Sequence, residues 1–158
     1  MSSPITPDEL EQLLPLASEW AAAQEQHIRS AGEPLSAGQL RDARLVGVAV
    51  PESVRILHVA QIPSPEHPLL RQAAELTGLI SPRTGGMALR YGIFIRADCR
   101  GQRALLVHEL GHTAQYERLG GFRPFLERYL PECVTIGYPA APLEQEVVEL
   151  TARICGGA

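Results

Sequence analysis

Apolar residues recur along this chain with two different periods, and the switches between them outline its elements. Leu10, Leu13, Leu14 and Ala17, followed by Trp20 or Ala21, keep the three-to-four-residue spacing of one helix face. Thr6, Pro7, Asp8 and Glu9 precede them as a start signal: a capping hydroxyl, a proline at the first position, then acids in the first turn. Pro15 is expected to kink this helix or delay its start, and the pattern continues to about Ile28. Ser36 to Ala43 reads as a short helix. Val54 to Ile62 is the best strand, rich in β-branched residues and bounded by prolines. Leu69 to Leu79 returns to helical spacing, with Gly78 helping to end it. Met87 to Arg96 alternates as a second strand, in which Gly92 marks a bulge or a close backbone approach. A helix then starts near Arg100 to Gln102, with Asp98 as a candidate cap, and stops at Gly120 and Gly121. Phe122 to Leu130 is a further short helix and Val134 to Ala141 a loop. Pro142 to Ile154 is the last helix, after which Gly156 and Gly157 end the pattern. These elements predict an α+β fold: one mostly helical domain over residues 1–158, with a small sheet before the helix at 103.

Composition narrows the picture by exclusion. Apolar residues make up 45% of the 158, enough for a core. The net charge is −4, and no basic stripe runs along any segment, which argues against nucleic acid as a partner. No stretch approaches the length of a membrane span. The first residues lack a basic segment followed by an apolar run, so no secretory signal is expected and the cytoplasm is the expected compartment. Cys99, Cys133 and Cys155 are odd in number and have no CxxC spacing, as reduced thiols would. His27 reads as a solvated or capping residue and His58 as a structural residue on an exposed face, and His67, between a loop and a helix, is not expected to be a ligand.

The remaining histidines carry the chemistry. His108, Glu109, Leu110, Gly111 and His112 form the string HELGH. On a helix, residues four apart share a face with Cβ atoms about 5–6 Å apart. Two imidazoles so placed can bind one zinc ion at about 2.0–2.1 Å. Glu109 lies next to them, within reach of a water on the metal's open side. H-E-x-x-H on a helix is the pattern of zinc hydrolases. Leu105, Leu106 and Val107 make the start of this helix apolar, as expected of a buried helix.

A catalytic zinc takes a third protein ligand and keeps a water. The last helix offers Glu144, Glu146 and Glu149. HELGH followed by a helix beginning Pro142-Leu-Glu-Gln-Glu-Val resembles the gluzincin metallopeptidases, and more narrowly their minimal bacterial members, whose second motif reads E-x-x-A-D or E-x-x-A-N. The likeness spans Arg103 to Ile154. It implies a zincin-like domain with His108, His112 and Glu144 as ligands. Val147 then stands at the small residue and Val148 at the acidic or amide one, which in the family often supports a zinc histidine. Valine cannot, so another group must do so, and Glu146 remains the second choice of ligand. Residues after His112 do not continue the metzincin pattern.

The resemblance implies zinc-dependent hydrolysis of a peptide or protein, with Glu109 as general base and processing of one specific partner as the expected task. In such enzymes an exposed strand edge often receives the substrate backbone. Tyr138, before the last helix, is a candidate donor to the developing oxyanion. Tyr116, one turn beyond His112, is a packing residue or lines the site. The alternative expectation is a zinc-binding module that holds a peptide or protein without cutting it.

Overall fold

The structure, a computed structural model, describes residues 5–156. The leader reading at Met1 to Pro4 and the final Gly157 lie outside those residues. Six helices and four strands follow in the order α1 (Pro7–Ala31), β1 (Glu33–Pro34), α2 (Ala37–Leu45), β2 (Arg55–Val59), α3 (Pro68–Thr77), β3 (Gly86–Leu89), β4 (Gly92–Arg96), α4 (Arg103–Leu119), α5 (Phe122–Thr135) and α6 (Pro142–Cys155). The expected α+β class is what the chain adopts. Among the described residues no helix is long and apolar enough to cross a membrane.

α1 begins where its start signal places it. The Thr6 hydroxyl accepts from the Glu9 amide at 3.1 Å, and the Glu9 carboxylate reaches back to Thr6. Pro15 lies inside the helix and neither delays nor ends it. α3 is capped by His67, whose Nδ1 accepts from the Leu69 amide at 3.2 Å. The strand expected over Met87 to Arg96 is instead a hairpin, β3 and β4, turning at Arg90 and Tyr91. Arg90 takes φ 59°, which alternation of side chains does not reveal. This turn is clamped from two helices. The buried carboxylate of Glu25 on α1 takes two hydrogen bonds from the Arg90 guanidinium, at 2.8 and 2.9 Å. Thr113 on α4 donates to the Arg90 carbonyl at 2.6 Å. α5 runs past the expected end at Leu130, through Pro131, to Thr135. Asp98 does not cap α4; it sits in a 3-10 turn and pairs with Arg96.

The sheet has the order β1-β2-β4-β3, with β2 and β4 parallel and both outer pairs antiparallel. A parallel pair needs a crossover, which α3 and β3 supply. Successive residues on a strand face opposite sides, and the two sides carry different helices. Ile56, Ile93 and Ile95 pack against Leu106, Val107 and Leu110 of α4. Leu89 and Phe94 pack against Ala21 and Ile28 of α1. α1 approaches so closely that a Cβ on Gly92 would sit 3.0 Å from that of Ile28, so the glycine marks a close approach and not a bulge. A third cluster joins the first half of α1 to Tyr116, to Phe125 and Tyr129 of α5, and to Leu143 of α6.

Candidate metal centre

α4 shows no single apolar stripe, because its middle is buried on almost every side. Leu106, Val107, Glu109, Leu110, Gly111, His112, Thr113, Gln115 and Tyr116 are all buried. The face carrying the histidines is covered by α6. The two helices meet closely at Gly111, where an added Cβ would lie 2.8 Å from Val147 Cγ1. Glycine at this point lets Val147 in, and the approach carries Glu144, three residues earlier on α6, to the histidines.

The three side chains converge. His108 Nε2 lies 2.6 Å from Glu144 Oε1, and His112 Nε2 lies 3.1 Å from Glu144 Oε2. One donor atom from each falls within 4.8 Å of the others, a set of two imidazole nitrogens and one carboxylate. Two imidazole nitrogens and one carboxylate so placed could hold a metal ion. Glu146 does not join it: its carboxylate takes hydrogen bonds from Gln115 at 3.1 Å and Arg118 at 2.9 Å. Glu149 is exposed.

Gln115 is the residue that sequence reasoning missed. Its amide nitrogen donates to the Leu143 carbonyl at 2.8 Å and to Glu146. That turns its oxygen toward His112 Nδ1, 2.9 Å away. Nδ1 then donates to Gln115, so in the neutral ring the lone pair falls on Nε2, the nitrogen that faces Glu144. Gln115 thus orients this histidine from the same helix, and Val148 itself is 43% exposed. Tyr129 was also missed. Its hydroxyl donates to Glu144 Oε2 at 3.0 Å, from a buried position on α5. A buried tyrosine hydroxyl calls for a partner, but nothing in the spacing says which one.

Glu109 is 5% exposed and lies against Gly86 of β3, the edge strand. Burial pushes its carboxyl above the ordinary range, against the pull of His112 and His108. Burial opposes the charge on Glu144 too, but hydrogen bonds from both histidines hold that carboxyl well below the usual value. At His112 burial works to lower the pKa, and the bond to Glu144 with the nearby carboxylates raises it overall. Tyr138 shares a cavity with Glu109 and His112; burial raises its phenol, which stays protonated and able to donate. Tyr116 lines the same cavity and stacks on Phe125 at 3.8 Å.

The other candidates stay apart. Cys99, Cys133 and Cys155 are free thiols outside the donor set, and burial pushes Cys133 up to about 12. His27 is exposed on α1. His58 is not on an exposed face: its side chain is 19% exposed and stands 3.5 Å from Glu33. No family model, curated protein or solved structure matches this chain.

Proposed function

We propose that this chain is a zinc-dependent peptide hydrolase of the gluzincin kind, acting on a specific protein partner. The observation that carries the reading is the convergence of His108, His112 and Glu144 on one point, with Glu109 buried beside it. A site that only stored a metal has no use for a second buried carboxylate, whose desolvation costs stability. Held by these three residues, zinc would supply Lewis acidity and would acidify a bound water to about pKa 7.

The protein's own groups do the rest. Glu109 takes the proton from the attacking water and passes it to the departing amine. Burial raises the affinity of Glu109 for a proton, which favours its taking one from the water. Tyr138 donates a hydrogen bond to the oxygen on which charge develops. The substrate backbone lies along the edge of β3 beside Glu109, adding a strand to the sheet.

The test is metal content, by elemental analysis of the purified chain beside His112→Ala and Glu109→Gln. Near one zinc per chain is expected, lost in His112→Ala and kept in Glu109→Gln. Peptide cleavage should fall by a factor of about a hundred or more in Glu109→Gln, as expected for loss of a general base. No stoichiometric metal after zinc is offered, or full activity in Glu109→Gln, overturns the reading.

A further inference from the structure

Protein interiors rarely hold voids larger than a water molecule. This chain holds a cavity of about 130 Å³ bounded by α1, α3, β3, α4 and α5. Its walls are apolar, with Leu13 and Trp20 from α1, Ala74 from α3, Met87 from β3 and Phe125 from α5. Glu109 and His112 line it as well, so the hole opens onto the metal centre. An apolar cavity of about 150 Å³ is known to stay dry and accept a benzene molecule. The pocket in this chain offers about that much room, and it is partly open to solvent where that cavity is closed. The rings of Trp20, Tyr116, Phe125 and Tyr129 surround it, and the last three form a stack with spacings of 3.8 and 5.0 Å. Aromatic walls favour an aromatic guest beyond what buried area alone provides. A charged side chain would lose its hydration there.

We infer that the cavity receives one aromatic side chain of the substrate, the size of a phenylalanine ring, and so selects the peptide bond brought to Glu109. The inference rests on the hydrolase reading above. It accounts for the lining of Tyr116, which presents a ring to the void and not a metal ligand. It also gives the first half of α1 and α3 a role in recognition, since they form the wall away from the metal.

The probe is toluene, whose entry into the cavity needs no metal. Calorimetry should show saturable binding to the metal-free chain and to the zinc-loaded chain alike. Ala74→Phe fills the void from α3, away from the ligand set, and should weaken toluene binding at least tenfold while zinc stoichiometry is unchanged. Peptides carrying phenylalanine beside the cleaved bond should exceed their glycine counterparts in kcat/KM by about tenfold or more. Toluene should also inhibit that cleavage competitively in the unaltered chain, a measurement that needs no variant to fold. Zinc bound with Glu109-dependent cleavage, but no toluene binding and no preference for phenylalanine, overturns the cavity assignment alone. Toluene bound without any zinc site overturns the hydrolase reading, and the substrate assignment with it.

Discussion

Gln115 shows how much of a site rests on a residue that no motif contains. It fixes a proton on His112 Nδ1 because its own amide is pinned on the other side by Leu143 and Glu146. Arg118 extends the chain by holding Glu146 at 2.9 Å. Gln115→Met keeps the shape and removes both ends of this link. Zinc affinity, read by competition with a chelator, should fall about 10–100-fold, as for other groups that orient metal ligands. Tyr129→Phe should weaken it in the same direction by freeing Glu144 Oε2. Unchanged affinity in both variants would mean that the ligands are positioned by packing alone. The HELGH string made the two histidines and Glu109 legible, because helical spacing is local. Gln115 was three residues further on and still hidden, since a glutamine reads as surface until its partners are known.

At the level of elements, the contact between α4 and α6 decides whether a carboxylate meets the two histidines. It depends on Gly111 facing Val147, where an added Cβ would lie only 2.8 Å from Val147 Cγ1. Gly111→Ala should therefore force the helices apart and cost about 1–3 kcal/mol, the usual penalty of overpacking. Urea unfolding measures it. Adding Val147→Ala, the small residue that the E-x-x-A-D pattern carries there, should recover part of that loss and restore zinc affinity. If the double variant is no more stable than the single one, the glycine serves some other purpose. The hairpin tells the same story about turns. Alternation from Met87 to Arg96 foretold extended backbone. The reversal at Arg90 is held by Glu25 and Thr113, residues from helices far away in sequence.

For the whole molecule, all four tyrosines belong to the packed structure. Burial is the main cause in each case and raises every phenol above its ordinary value of about 10, with Tyr91 at about 12. A folded pKa above the unfolded one means that the native state holds its protons more tightly. The stability this brings is complete below about pH 10 and drains away as the pH climbs from there through the folded values. Ultraviolet titration of the native chain should show little tyrosinate until the pH nears about 12, and the midpoint of thermal unfolding should drop over the same interval. A full tyrosine titration at the ordinary pH with the fold intact would contradict this packing. The chain by itself determined the periodic elements, the α+β class, the helix caps and the HELGH face, because each depends on neighbours within a few residues. The tertiary structure alone decided that β3 turns back on β4 and that an apolar pocket opens beside Glu109, and it brought Glu144, the first of the two glutamates the sequence offered, to the histidines. Those outcomes depend on how closely α1, α4, α5 and α6 approach one another, and that distance is set by pairs such as Gly111 with Val147 that no local pattern connects.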